Sequence, residues 1–402
     1  MRILIIGGYG SFGRRLSENL LKYRSHHLIV AGRSIEKAKQ FQREAKLLFN
    51  KYIDIAELDV ENSNLEQVLR SIKPAIVVNT SGPYQYQRDG FSGTSENKNY
   101  AVARACIAVG SHYIDLADDR QFVTQFSHVL NAEAKTAQVC LVSGASTVPG
   151  LSGAVIDHLQ SEFNSLTKIY FGISPGNRFN KGKATVASIL SYTGRPFSLL
   201  KDGITKLIYG WQGLRRYDFG SPIGRRWMAN CQIPDLDLLP KRYPSVDTVH
   251  FQAGLELRFM HFTMWLLAAL VRINIIPKPE KLAGLLCSTS SWFDSWGTDK
   301  GGMFVQLQGR DGNGREKTID WQLIAEKGEG PNIPVIAAEL VINKLTTRQL
   351  GAGAYPCLGL FTLTEFLQVA KRWNIYTRVR STDRVITDSN SAQEKIREQT
   401  TA

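Results

Sequence analysis

The five cysteines of this 402-residue chain are scattered singly, with no Cys-x-x-Cys pair among them. An odd number at irregular spacing supports neither a disulfide framework nor a zinc site, and a reducing compartment is the simplest setting. No apolar stretch approaches the ~20 residues of a spanning helix. No secretory leader is expected either, because Met1-Arg2-Ile3-Leu4-Ile5-Ile6 runs straight into Gly7-Gly8, is too short for a signal h-region and reads as a first β-strand. A cytoplasmic protein is expected. Basic runs are also missing, although the formal net charge is +13. Lys and Arg cluster only as doublets such as Arg215-Arg216, Arg225-Arg226 and Lys241-Arg242, without the interleaved aromatics of a nucleic-acid module. A solvated basic surface accounts for such a charge, and no nucleic-acid partner is expected.

What is present is an ordinary globular composition, 43% hydrophobic and 21% charged, with length for about two or three domains. Over the first 150 residues, strands read at Ile3–Ile6, Leu28–Gly32, Ile53–Val60, Ala75–Asn79, His112–Leu116 and Val139–Ser143. Helical patterns lie between them, near 13–24, 35–50, 62–72, 97–109 and 119–136. Several strands are near-continuous Val, Ile and Leu, as expected when both faces of a parallel sheet are covered. Six strands alternating with helices predict an α/β Rossmann domain, a doubly wound parallel sheet of order 3-2-1-4-5-6.

Directly after the first strand comes Gly8-Tyr9-Gly10-Ser11-Phe12-Gly13, a G-x-G-x-x-G pattern preceded by Gly7. The first glycine permits a tight turn and the second lets backbone approach a pyrophosphate. The third lets the following helix pack closely, with its N-terminal amides toward the phosphates. Glycine turns are common, but strand, glycines and helix in this order are the context that a dinucleotide site requires.

The second strand bears on the cofactor. NAD-binding domains place Asp or Glu about 20 residues on, against the ribose 2′-hydroxyl; here Ala31-Gly32-Arg33-Ser34 stands instead. Arg33 can pair with a 2′-phosphate and Ser34 can donate to it, so NADP(H) is the expected cofactor. A solvated cation at a strand end is the other reading of Arg33. Asp59 and Val60, closing the third strand, are placed to face the adenine, although Asp at a strand end also serves as a cap. Asn79-Thr80-Ser81-Gly82-Pro83-Tyr84 leaves the carboxyl edge of the sheet near the topological switch point, where the nicotinamide half should lie. Thr80, Ser81, Gly82 and Pro83 are therefore counted with the cofactor site, turn chemistry being the alternative.

Two dehydrogenase classes are disfavoured. No tyrosine has Lys four residues on, as a short-chain dehydrogenase needs; the nearest are Tyr84 with Arg88 and Tyr100 with Arg104. The Glu-Lys-Pro of glucose–fructose-type oxidoreductases is also lacking after strand five. The chain instead resembles the saccharopine dehydrogenase-like family of NADP-binding oxidoreductases. The resemblance rests on the run from Gly7 to Gly13, on Ala31-Gly32-Arg33 and on Asn79 to Tyr84. It extends to Tyr113-Ile114-Asp115-Leu116, the run from Gly144 to Leu151, and Gly353-Ala354-Tyr355-Pro356-Cys357-Leu358-Gly359-Leu360. It implies a Rossmann domain followed by an α+β domain related to the C-terminal domain of glyceraldehyde-3-phosphate dehydrogenase. It implies a fold and a cofactor more than a substrate.

The expected domains are thus 1–150, with a returning helix at about 351–376; a substrate and dimerisation domain at 151–350; and a polar tail at 377–402, mobile or a short exposed helix. In the second half, Leu166–Ser174 reads as a strand, a helix starts near Ala184, and the Gly-, Arg- and Trp-rich stretch to Trp227 reads as irregular loops. Strands return at Val246–Glu256 and Gly302–Gly309. Asp311-Gly312-Asn313-Gly314 is a hairpin turn leading into Arg315–Ala325, a pair that suits a homodimer's sheet. Phe259–Val271, bounded by Arg258 and Arg272, reads either as a buried helix or as an interfacial helix in peripheral contact with anionic lipid.

Hydride chemistry at a nicotinamide often calls for a proton donor. Position alone nominates Tyr84 and Asp115 as catalytic, with Ser143 and Ser146 nearby and Arg178 or Lys181 to hold a carboxylate. Each also has a structural reading as packing, cap, turn or solvated cation. Cys140 and Cys357 read as small buried hydrophobes. No metal is expected. The function this supports is an NADP(H)-dependent oxidoreductase acting on a small amino or oxo acid or its imine; the alternative is a non-catalytic NADP(H)-binding redox sensor or membrane-associated scaffold.

Overall fold

The computed structural model describes residues 1–23, 26–61, 64–84, 100–178, 182–382 and 385–386. The chain divides into two compact units, Met1–Ala154 with Pro331–Phe366, and Val155–Gly330 with Leu367–Ala402.

In the first unit, strands and helices alternate as β1 (Arg2–Ile6), α1 (Ser11–Tyr23), β2 (His27–Gly32), α2 (Ile35–Phe49), β3 (Asp54–Glu57), α3 (Leu65–Ile72) and β4 (Ile76–Asn79). They continue as α4 (Ala101–Val109), β5 (His112–Asp115), α5 (Arg120–Thr136) and β6 (Cys140–Ser143). All six strands pair in parallel, in the expected order 3-2-1-4-5-6. β1, β4 and β6 are buried from end to end apart from Arg2, which is why they read as unbroken aliphatic runs rather than alternating ones. Asn50 and Lys73, both left-handed, end α2 and α3 by donating their amides to Lys46 O and Leu69 O.

The second unit carries β7 (Ser165–Ser174), β8 (Pro196–Lys201), β9 (Ile204–Tyr209), β10 (Arg215–Asp218), β11 (Arg225–Asn230), β12 (Thr248–Ala253), β13 (Gly301–Arg310) and β14 (Glu316–Ala325). Its helices include α7 (Lys183–Tyr192), α8 (Asp235–Arg242), α9 (Arg258–Arg272) and α10 (Ala283–Ser291), while α6 (Ser152–Leu159) lies where the units meet in sequence. The segment that rejoins the first unit supplies α11 (Asn332–Thr346) and β15 (Gly353–Pro356); the sequence reading put that return at about 351–376. β15 adds a seventh parallel strand beside β6, and α11, buried almost all round, packs against α1 and β5. After α12 (Leu363–Ala370) come β16 (Ile375–Ser381) and β17 (Val385–Ile386).

Two expectations for this half are corrected. The stretch to Trp227 is not loop: β8 and β9 form a hairpin, and β10 and β11 enter the large sheet. Nor does the polar tail begin at 377, because β16 pairs with β14 from Ile319↔Ser381 to Ala325↔Ile375; the rest of the expected tail, from 387 on, lies outside the described residues. The mixed sheet runs β10-β11-β12-β7-β13-β14-β16-β17, with β12 and β7 its parallel pair. On it, Tyr217 stacks on Phe304 at 3.8 Å between centroids, and Phe219, Ile223, Met228 and Ile324 close the cluster.

Phe304 is wholly buried there. Phe304→Ala should cost about 3–5 kcal/mol from the lost transfer energy and the cavity left behind. Urea unfolding followed by circular dichroism should show the second unit's transition at lower denaturant, and an unchanged midpoint would refute this packing.

Candidate functional site

The glycine turn is built by exclusion of side chains. Gly7, at φ +76°, donates to Ala31 O at 2.7 Å, and Gly10 donates back to Gly7 O at 2.8 Å. A Cβ on Gly8 would stand 2.9 Å from Ile5 O and from Val30 Cγ1; one on Gly13 would run into Gly7 O and stand 2.5 Å from Thr80 Oγ1. α1 opens at Ser11 with no acidic residue in its first turn. A helix N-terminus of this kind presents amide donors and partial positive charge to an anion. Arg14 does not add to that charge, since it pairs with Glu18 at 2.8 Å and Glu44 at 2.7 Å.

The end of β2 is tied to this turn through Tyr9. Its ring lies where a Cβ on Gly32 would have to go, and its hydroxyl accepts the Ser34 amide at 2.8 Å. Ser34 caps α2, its Oγ accepting Lys37 N at 3.3 Å, which leaves the hydroxyl proton to donate elsewhere. Arg33 is exposed and makes no ion pair among the described residues. A cation and a hydroxyl donor therefore stand at the start of a helix, on the strand end where a 2′-phosphate-selective site needs them. Asp59 lies two residues beyond β3 rather than within it, accepts Glu61 N at 3.1 Å and so shapes the turn that includes Val60.

The loop after β4 folds onto itself. Thr80 fastens to Ile6 O through both its amide, 2.9 Å, and its hydroxyl, 2.8 Å, and so seals the glycine turn from beneath. Ser81 donates to Asn79 Oδ1 from its amide and its hydroxyl, at 3.1 and 2.5 Å. Gly82 and Pro83 are joined by a cis peptide. Tyr84 is only 6% exposed. It packs on Phe122, its hydroxyl donates to Asn79 O at 2.9 Å, and burial holds that hydroxyl's pKa well above the usual phenol range.

Asp115 ends β5 fully buried. Its Oδ1 accepts the amides of Ala117, 2.9 Å, and Gly144, 2.8 Å, and the Ser143 hydroxyl at 3.0 Å. Oδ2 is buried without a hydrogen-bond partner. Loss of solvent outweighs those donors, and the carboxyl pKa is pushed up to about 6. Tyr84, Tyr113 and Cys357 all lie within its electrostatic reach. Cys357 and Cys140 are buried, with thiol pKa values raised by that burial.

The structure thus gathers Gly8, Tyr9, Gly10, Ser11, Phe12, Gly13, Arg33, Ser34 and Thr80 around one turn. At the same carboxyl edge of the sheet it joins Asp115 and Ser143, with Tyr84 hung from Asn79. Ser146 is half-buried in the turn after β6, Arg178 is exposed in the second unit, and Lys181 lies outside the described residues. Asn79 was not foreseen as the residue that organises its loop; its place before Thr-Ser-Gly-Pro, at a strand end, is the signal that could have marked it. Among the described residues there is no cluster of His, Cys, Asp and Glu able to hold a metal, and no helix is long and apolar enough to cross a membrane.

Residues 3–142 match the saccharopine dehydrogenase NADP binding domain family. No curated protein matches the sequence. Among solved structures, apo saccharopine dehydrogenase (L-Glu forming) from Saccharomyces cerevisiae superposes with TM-score 0.63 at 12% identity, over 95% of this chain and 99% of that one; the likeness is one of fold. An engineered D-amino acid dehydrogenase bound to NADP+ gives TM-score 0.47 at 12% identity, over 92% of this chain and 98% of that one. The glycine turn, with no room for a Cβ, and the cation at the end of β2 fit the NADP(H) that this domain family binds.

Gly13→Ala should abolish NADPH binding, because the methyl group must displace either Gly7 or Thr80; nicotinamide fluorescence titration on a folded variant checks it. A second prediction concerns pH. The folded-state pKa of Asp115 lies above the 3.8 of an unfolded aspartate, so between those values the folded chain binds the extra proton. The stabilisation is fully present below pH 3.8 and is lost as pH rises through about 6, amounting to roughly 3 kcal/mol. Asp115→Asn should therefore flatten the loss of urea stability between pH 4 and 7 relative to the native chain, and parallel curves would contradict the buried ionisation.

Proposed function

We propose that the protein, whose residues 3–142 match the saccharopine dehydrogenase NADP binding domain family, is an NADP(H)-dependent oxidoreductase acting on a small amino or oxo acid, or on its imine. The observation that carries the cofactor half of this reading is the Tyr9–Ser34 bond beside an unpaired Arg33, in place of a carboxylate at the end of β2. Bound NADP(H) would supply or accept a hydride at its nicotinamide ring. The glycine turn and the start of α1 would hold the pyrophosphate, and Arg33 with Ser34 the 2′-phosphate. Tyr84 and Asp115, nominated as proton donors from sequence, act in this reading as positioning residues. One suspends the β4 loop from Asn79; the other gathers the Ala117 and Gly144 amides and the Ser143 hydroxyl at the proposed nicotinamide end.

One observation favours the second reading, a redox sensor that binds NADP(H) without turnover: both nominated proton donors are buried and already bonded. Turnover separates the two. A panel of 2-oxo acids with and without amines should oxidise NADPH if the protein is an enzyme; tight binding with no oxidation across the panel would make it a sensor.

A charge-assisted contact to phosphate is worth about 1.5–3 kcal/mol, roughly ten- to a hundredfold in affinity. The native chain should bind NADPH more tightly than NADH by about that factor, and Arg33→Asp should remove or invert the preference by repelling the 2′-phosphate. Binding of neither nucleotide would sink both readings.

A further inference from the structure

In the second unit, α7, α9 and α10 line a half-open cavity of about 260 Å³. Leu190, Phe259, Met260, Met264, Leu286 and Phe293 are among its walls, together with Trp211. Three lining hydroxyls give it no polar character, since Thr263, Thr289 and Ser290 donate to Phe259 O, Leu285 O and Cys287 O of their own helices. No charged side chain lines it. An amino or oxo acid would lose its hydration there with no charged side chain to receive its carboxylate. A cavity of ~150 Å³ with apolar walls stays dry and takes benzene, so on the same scale this one takes on the order of ten carbons.

The surface around those helices is unusual in the same sense. Of the fourteen exposed large hydrophobic residues among those described, eight lie between Phe259 and Trp296, including Leu285 at 61%, Trp292 at 74% and Trp296 at 68% exposed. Single exposed hydrophobes are ordinary, whereas a concentration of them marks a binding region. Phe259 connects the two features. It lines the cavity, is 43% exposed, and touches Phe293 at 4.9 Å and Trp296 at 6.0 Å between ring centroids. The segment also has a sign. Between Arg258 and Trp296 the sequence holds four cations, Arg258, Arg272, Lys278 and Lys281, against two carboxylates, Glu280 and Asp294, and Glu280 is paired with Arg195 at 3.2 Å.

We propose that this cavity binds the hydrocarbon chain of a free, single-chain anionic amphiphile such as a fatty acid, with its carboxylate left outside, toward the cation-rich segment that begins at Arg258, next in sequence to the lining Phe259. The inference stands apart from the cofactor site and holds whether or not the protein turns over.

The test is titration of the full chain with decanoate below its micelle concentration, read by intrinsic tryptophan fluorescence and by the rise in Tm that native-state binding produces. NADPH binding is measured on the same samples, so that failure of the first unit is recognised separately. Saturable decanoate binding is expected, with butyrate at least tenfold weaker and decyltrimethylammonium weaker than decanoate. Ser290→Phe and Thr289→Phe, which fill the cavity, should each reduce decanoate affinity at least tenfold without altering NADPH binding. Should a filled variant not fold, Arg258→Glu with Lys281→Glu gives the second measure: decanoate weakens and decyltrimethylammonium does not. No saturable binding by the native chain, or undiminished binding by a folded filled variant, overturns the proposal. So does binding to phosphatidylglycerol vesicles without binding to monomeric decanoate, which would make the exposed face a bilayer-docking surface.

Discussion

The first unit turns on a steric constraint: between β1 and α1 there is no space for a side chain. Gly7 takes a positive φ, Gly8 lies against Ile5 O and Val30, and Gly13 sits upon Gly7 O and Thr80. Only this closeness lets α1 begin after four intervening residues from the end of a strand inside the sheet, with β2 on one side of it and β4 on the other. The order of connections reverses at that strand, so the crevice above it is where a ligand can reach backbone from both directions. Thr80 makes the arrangement two-sided. Its amide and hydroxyl both bond Ile6 O, and the loop after β4 is thereby locked to the turn after β1.

Sequence made the first unit readable because its strands are covered on both faces. Runs such as Ile3–Ile6 and Val139–Ser143 have no other use for so many aliphatic residues, and the glycines fall where the strand ends. The second unit hides its strands for the opposite reason. β9 is largely exposed, β10 reads Arg-Arg-Tyr-Asp, and the cations there lie on aromatic rings: Arg216 over Trp227 at 4.4 Å, Arg215 over Tyr170 at 5.3 Å. Arg and Trp in company resemble a loop by composition, but on a sheet they alternate and stack. β16 shows the same effect, since Tyr376, Arg378 and Arg380 alternate with Ile375, Thr377 and Val379 along a strand that was read as tail. Only tertiary pairing with β14 distinguishes the two.

The site was legible to the extent that it is made of backbone. Glycines, a turn and a missing carboxylate are features of type and spacing, and from them the residues proposed for the pyrophosphate and the 2′-phosphate were nominated. The nominated acid and base were chosen by their place at the sheet edge, and place does not reveal what a polar atom is already bonded to. Tyr84 spends its proton on Asn79 O, and Asp115 accepts three donors at one oxygen. These bonds lie between residues 2 to 29 apart in sequence, and the longest of them span separations over which no periodic pattern operates.

In the proposed reading, cofactor choice would rest on a short relay rather than on Arg33 by itself. Tyr9, inside the glycine motif, reaches across Gly32 to receive the Ser34 amide, and Ser34 in turn receives the Lys37 amide as the cap of α2. Each acceptor fixes the next donor, so the backbone leading out of Arg33 is set by the turn that would hold the pyrophosphate. A side chain on Gly32 would break the relay by occupying the place of the Tyr9 ring, even with Arg33 unchanged. Two phosphate groups of one dinucleotide have a set separation, and a protein that selects by the second must keep its two anion-binding loops in register. Tyr9 ties those loops together through a half-buried ring and one hydrogen bond, which is less sensitive to salt than a charge pair across solvent. Selectivity by a flexible, exposed guanidinium becomes effective only on such a fixed base, because the guanidinium then gives up rotamer freedom once, on binding, with no loop ordering to add to it.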